Sequence, residues 1–468
     1  MRRVLAASVA GLLACSSGDS PPPAPPWDAE LRLPEARNLS AEAGVVEVSL
    51  EATVALREVV AGALTPLWTY DGGLPGPLVR AKVGDRLVVH FRNSLPEPTT
   101  VHWHGVRLPA AMDGAPGHSQ PPVEPGGQFT YEFVVPDAGL FWYHPHVDSA
   151  AQVGFGLYGP LLVEAPDEPP GLGEEVVLVL SDLSVRADGS IVPPTAGGNL
   201  GTIFGREGDT LLVNGRRVPT LRARAGQRLR LRLVNAAKAR YFQLALAGHA
   251  FVRIGGDGGL ASAPVELDTL VLAPGERADA LLVPRGAPGE TLTVRWTPYD
   301  RGYGTTFNRP DEPLFRVALE DAPAVTPPPL PLLGRSIEAL DASAATPRSL
   351  SLTQAEVDGV VQMGIDGVPS WLAPPLAARV GDVEVVTVTN TTDFAHPFHL
   401  HGFFFQVLDD AGSPRAPLEW KDTVSVPVRG AARLVVRYDD RPGDWMFHCH
   451  ILDHADAGMM GVLALSRP

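Results

Sequence analysis

At 468 residues the chain is too long for a single hydrophobic core, which stops growing near roughly 250 to 300 residues, so two or three domains are expected. A formal charge of -15 argues against the basic face that a nucleic-acid partner needs; it would suit cationic or metal-ion substrates, although solubility alone accounts for it. With 45% hydrophobic and 19% charged residues beside 48 Gly and 47 Pro, the composition fits short strands joined by tight turns, and an all-β chain is expected.

In chain order, Arg2 and Arg3 precede an apolar run from Val4 to Leu13, which is too short to span a bilayer and reads as an export signal. Its end, Leu12-Leu13-Ala14-Cys15, resembles a bacterial lipoprotein signal, with Cys15 as a lipidated first residue and Ser16 to Pro26 as a tether; ordinary signal-peptidase cleavage is the other route. Either way the destination is the periplasm or cell envelope, and residues 1–29 stand outside the folded body. No later segment has 18 uninterrupted apolar residues, so the body is expected to be soluble and held to a membrane only through Cys15. With two cysteines in the chain, Cys449 has no other partner if Cys15 is an anchor.

One pattern then recurs three times: a strand, a Gly turn, a strand ending in Asn, and an alternating strand. The first copy runs Leu78 to Asp85, Val88 to Asn93 and Val101 to Gly105. The second, Arg222 to Gln227, Leu231 to Asn235 and Tyr241 to Leu244, has no histidines. The third, Ala377 to Asp382, Val386 to Asn390 and Phe398 to Gly402, repeats the first so closely that Gly84 to His102 and Gly381 to His399 both span eighteen positions. Pro-rich joints at Glu164 to Gly173 and Asp321 to Gly334 interrupt any ladder between copies, giving three β-sandwich domains at 30–166, 172–320 and 333–468.

Thirteen histidines would give about 0.4 His-x-His pairs in a shuffled chain. Four are present: His102/His104, His144/His146, His399/His401 and His448/His450. Residues two apart on a strand share a face, so each pair delivers two imidazoles to one side, spaced for neighbouring metal ions. His90, His118 and His249 are read as ordinary core or surface residues. Near the C-terminus, Cys449 and His454, joined by His396, would form a trigonal His₂Cys set with Met459 as a weak axial thioether, the donor set of blue copper. Strand alternation points Cys449 one way and His448 and His450 the other, so one tripeptide can join two metal sites.

The segments HWHG at 102–105, HPH at 144–146, HPFHLHG at 396–402 and HCHILDHADAGMM at 448–460 resemble the four copper signatures of three-domain multicopper oxidases, including bacterial laccase-like enzymes. The likeness covers nearly all the chain after residue 45. It implies three cupredoxin-like Greek-key β-sandwich domains and four copper ions. His396, Cys449, His454 and Met459 would hold type 1 copper, and His102 and His399 type 2. The type 3 pair would be held by His104, His144 and His450 on one ion and by His146, His401 and His448 on the other. The resemblance further implies that a reducing substrate is oxidised at the type 1 site, and that electrons pass through Cys449 to the cluster where dioxygen becomes water. Pro145 stands where the third copy has Cys449, so the first domain cannot build a blue site; the second, without ligands, is read as a spacer that shapes its neighbours' surface.

Reducing dioxygen takes four protons, so carboxylates near the cluster matter. Asp113 stands where the family carries such an acid, although an Asp-Gly turn is also a sufficient reason for it. A second family acid, expected immediately after His454, is replaced by Ala455, and Asp456 or Asp453 is expected to take over. Only six methionines are present, which lowers the case for a dedicated Cu(I) oxidase. Trp296 to Gly304 reads equally as a substrate-facing loop or an aromatic turn packed between domains, and Phe403, Phe404 and Phe405 as core. The first expectation is therefore a monomeric laccase-like oxidase of phenolic and aromatic donors. A metallo-oxidase of Cu(I), Fe(II) or Mn(II) comes second, and a cupredoxin-fold scaffold is the non-enzymatic rival. A nitrite reductase is disfavoured by Pro145 and the third repeat, and a zinc site by the long His-Cys-His alternation.

Overall fold

The computed structural model describes residues 27–303 and 309–468; the export signal, Cys15, the tether to Pro26 and Gly304 lie outside the described residues. Within them the chain is nearly all β, arranged as six sheets that pair into three sandwiches, the all-β architecture expected. No helix of the described residues is long and apolar enough to cross a membrane.

Each repeat unit folds the same way. Its long first strand lies parallel to the strand that ends in Asn: Val45–Val60 on Arg86–Asn93, Glu174–Leu183 on Leu229–Asn235, and Thr346–Val357 on Val383–Asn390. In the facing sheet the strand before the Gly turn lies parallel to the last strand of its unit: Val79–Lys82 on Gly159–Glu164, Thr220–Ala223 on Glu312–Leu319, and Leu376–Arg379 on Met460–Ser466. Parallel neighbours require the chain to cross between sheets, so the arrangement is Greek-key and not a string of hairpins.

The recurring asparagine closes each corner. Asn93, Asn235 and Asn390 are all buried. Each donates its amide to carbonyls further along the chain, Glu97 and Val123, Arg240 and Leu272, and Phe394 and Pro427. Each also accepts the N–H two residues ahead, at Leu95, Ala237 and Thr392. One side chain thereby satisfies three backbone groups that the turn would otherwise bury unpaired.

The first and third sandwiches share one apolar cluster, which joins Val89, Trp103 and Tyr143 to Phe398, Phe405 and Trp445. Phe403, Phe404 and Phe405 are buried in it, as expected. The second sandwich has its own core, to which Leu31 and Trp27 from the start of the described chain also belong. The first Pro-rich joint is pinned by charge: Glu168 accepts from Arg230 and Arg232, both nearly fully buried, and Arg230 also pairs with Asp279.

Candidate metal centre

Two antiparallel pairings deliver the histidines. The strand His102–His104 lies on Gly139–His144, with His102 opposite His144 and His104 opposite Trp142. In the third sandwich His396–Leu400 lies on Gly443–Cys449, with Phe398 opposite Cys449 and His399 opposite His448. Alternation then puts His396 on the face of Cys449, and His399, His401, His448 and His450 on the other. The two sandwiches meet on those histidine faces: the His102 ring stacks on His401 and the His104 ring on His399, with centroids 3.8 Å apart in both cases.

The donor atoms converge in groups whose members lie within 4.8 Å of one another: His102, His104 and His399; His104, His144 and His450; His146, His401 and His448; His396, Cys449 and His454. All ten histidines and the cysteine are buried. In the last group His396 Nδ1 and His454 Nδ1 are 3.0 Å apart, and Cys449 Sγ lies 3.4 and 3.6 Å from them, a triangle of donors around one point. Met459 is fully buried beside it; its N–H donates to the His454 carbonyl and its own carbonyl accepts from the Cys449 N–H.

In most of these rings the nitrogen facing away from the donor point is held by a protein acceptor. His102, His144, His399 and His448 turn Nδ1 toward the carbonyls of Asp113, Pro145, Asp422 and Cys449. His401 turns Nδ1 to the Asp113 carboxylate, and His454 turns Nε2 to the Ile203 carbonyl. The inward nitrogens His102 Nε2, His104 Nδ1, His144 Nε2 and His399 Nε2 are orphans, buried with no hydrogen-bond partner among the described residues, and at His450 both ring nitrogens are so. Unpartnered buried polar atoms are costly, and lone pairs aimed at one point with the opposite N–H tied down are the signature of metal ligands. Burial, reinforced by neighbouring imidazoles, lowers the proton affinity of His144, His146, His448 and His450 well below the usual range, and that of His401 to about 3. They are neutral donors at physiological pH. Burial pushes the Cys449 thiol up to about 12, so a thiolate persists there only with a cation on the sulfur. The thiolate-imidazole set and the cluster of imidazoles both fit copper.

Of the two expected acids, Asp113 is brought onto the cluster: its carboxylate lies 2.8 Å from His401 Nδ1 and its carbonyl 2.8 Å from His102 Nδ1. Asp456 instead accepts the N–H of Ala150, and no hydrogen bond or ion pair among the described residues joins it to a cluster histidine. Asp453 is bound to Arg206 and Lys238 of the second sandwich. Sequence reasoning missed Asp422, whose carboxylate lies 3.2 Å from His104 Nε2 and whose carbonyl accepts from His399 Nδ1. It also missed Arg277, which grips that carboxylate with both terminal nitrogens. Gly275 was missed as well: its φ is +87°, and a Cβ there would lie 2.9 Å from the His450 ring and 3.1 Å from His104. No local pattern marks these residues, because their partners are 318 and 145 positions away in the chain.

Multicopper oxidase family models match residues 53–168, 174–296 and 342–467. The chain is 35% identical over 438 residues to multicopper oxidase MmcO of Mycobacterium tuberculosis, covering 85% of this chain and 83% of that protein. It is 28% identical over 472 residues to a laccase of Bacillus subtilis, covering 86% and 91%. Its fold superposes with a TM-score of 0.81 on a multicopper oxidase of Campylobacter jejuni described as a metallo-oxidase, at 28% identity over 93% of this chain and 94% of that one. With these relatives and this donor geometry, the chain belongs to the multicopper oxidase family, copper-dependent oxidoreductases that hold type 1, type 2 and paired type 3 copper and use dioxygen as electron acceptor.

Proposed function

We propose that this chain is a laccase-like oxidase that takes single electrons from phenolic or related aromatic donors. In this reading His396, Cys449, His454 and Met459 hold the type 1 ion, and His102 and His399 the type 2 ion. His104, His144 and His450 hold one type 3 ion, and His146, His401 and His448 the other. Copper, when bound, supplies the one-electron couple and the centre that reduces dioxygen to water. The chain contributes the wiring: Cys449 ends its strand, directly bonded to His448 before it and to His450 after it, so two covalent routes lead from the sulfur to the cluster.

The observation that carries the donor class is a cavity of about 930 Å³ lined by the second sandwich and, at Gly154, by the first. Its wall includes Phe204, Gly205 and Arg206, immediately after Ile203, whose carbonyl accepts from His454 Nε2–H. Tyr241, Trp296 and Tyr299 supply an aromatic side, with the Tyr241 and Tyr299 rings stacked at 5.0 Å. A space of this size suits an organic donor better than a bare ion. Asp182 and Glu207 on that wall pair with Arg240, and Asp453 beside it with Arg206, while Asp209, Asp300 and Asp311 also line the cavity. A metal-ion donor bound at Asp182, Glu207 or Asp453 would have to displace those arginines. The segment Trp296 to Tyr303 lines the cavity and, through the Arg301 carbonyl that accepts from Ala395 N–H, packs against the third sandwich, a placement compatible with either role expected of it.

The second reading, a metallo-oxidase of Cu(I), Fe(II) or Mn(II), draws on the Campylobacter jejuni relative. Steady-state rates with substituted phenols and with the three metal ions separate the two. The proposal expects the higher kcat/KM for phenols, and a metal ion exceeding every aromatic donor would reverse it. The N-terminal Arg-Arg and apolar run support export to the periplasm or cell envelope, with lipidation at Cys15 as one means of retention. The acid beside the cluster is assigned to Asp113, with Asp456 kept as a candidate for a longer route. We take the working form to be a monomer.

A further inference from the structure

Two aspartates clamp the histidine cluster in the same manner, one from each side. Asp113 offers its carbonyl to His102 Nδ1 and its carboxylate to His401 Nδ1. Asp422 offers its carbonyl to His399 Nδ1 and its carboxylate to His104 Nε2. Because His102 stacks on His401 and His104 on His399, each aspartate binds both rings of one stacked pair. The environments of the two carboxylates differ in one respect. Among the described residues no Lys or Arg pairs with Asp113, whereas Asp422 is held by Arg277, which comes from the sandwich that supplies no ligand.

Arg277 is nearly fully buried, and all five of its guanidinium N–H groups have acceptors. Nε donates to the Leu140 carbonyl at 3.2 Å; Nη1 donates to the Gly275 carbonyl at 2.9 Å and to Asp422 Oδ1 at 2.8 Å. Nη2 donates to the Asp257 carbonyl at 3.0 Å and to Asp422 Oδ2. One side chain therefore touches all three sandwiches. The pair also explains the glycine after the first His-Trp-His: a Cβ on Gly105 would collide with Arg277 Nη2 and with Asp422 Oδ2.

We infer that Arg277 is a positioning residue for the cluster: by fixing the Asp422 carboxylate it makes His104 Nε2 the proton-bearing nitrogen and turns the His104 Nδ1 lone pair toward the site. His104 Nδ1 is one of the orphaned buried nitrogens, and Asp422 Oδ1 is the acceptor that selects this tautomer. Without the guanidinium the carboxylate loses the bidentate partner that sets its plane, and His104 loses a rigid acceptor. The ligandless sandwich is thus a working part of the cluster. This inference rests on the ligand assignment proposed above.

The test uses copper-loaded full-length protein carrying R277Q, R277K, D422N or R277Q/D422N, with retention of type 2 and type 3 copper under chelator titration followed by paramagnetic resonance and near-ultraviolet absorption. Outer ligand partners are typically worth about 10- to 100-fold in metal affinity, and a loss of that size is expected at the cluster for R277Q and D422N, with the blue band from Cys449 intact. The double variant is expected to be no worse than D422N alone, because Arg277 acts through Asp422. R277K is expected not to restore retention, since an ammonium has three donors for five acceptors. Wild-type retention in R277Q, or losses that multiply in the double variant, would overturn the inference. If R277Q does not accumulate, D422N decides: weakened cluster copper with a normal blue band supports it, and an unchanged type 2 signal defeats it. A wild-type protein with a blue band but no type 2 signal would overturn the ligand assignment and this inference with it, whereas a normal wild type with unchanged variants defeats the inference alone.

Discussion

A thiol buried beside two neutral imidazoles keeps its proton unless a cation replaces it, and Cys449 is that group. Cys449→Ser is expected to abolish the blue band and lower bound copper from about four to about three per chain while the paramagnetic signal of the cluster survives. Optical spectra and metal analysis on one sample check this. Met459→Leu should keep the colour and raise the reduction potential, because a weak donor to the oxidised ion is lost; an unchanged potential would remove Met459 from the axial role. Asp113→Asn keeps the shape of the clamp and removes its charge, and dioxygen reduction is expected to slow about 100-fold. Asp456, with no hydrogen bond or ion pair to a cluster histidine among the described residues, should when changed to Asn slow it far less. Equal effects of the two substitutions on oxygen uptake would contradict that ranking.

At the scale of strands and turns, the ligands were legible because strand geometry turns spacing into direction. His-x-His on a strand means one shared face, and the Cys-flanked version means two opposite faces. The same logic made the Asn-terminated strand visible three times before its role at the corner was known. Asn235→Ala is expected to cost about 1–3 kcal/mol per backbone group left buried and unpaired, seen as a lower thermal midpoint. Asp422, Arg277 and Gly275 were not legible, since a single acid, a strand-initial arginine and a turn glycine look alike everywhere. Their meaning arises only when three sandwiches meet. Gly275→Ala combines a left-handed backbone with a methyl pressed on His450 and His104, so weakened type 3 copper is expected with a destabilisation of about 1–3 kcal/mol.

The whole molecule is organised so that the outer sandwiches, separated by some 300 residues of chain at His104 and Asp422, share an apolar cluster and a set of donors. Copper should therefore act as a clasp between them. At a free concentration 1,000-fold above Kd, each site adds about 4 kcal/mol to the stability of the folded form, so chelation is expected to lower the thermal midpoint by many degrees and copper to restore it. The direct measurement of the central claim is copper quantitation on the purified protein together with its optical and paramagnetic spectra. About four coppers per chain, an intense blue thiolate band and a type 2 signal are predicted. A folded, metal-replete protein that is colourless would contradict the account.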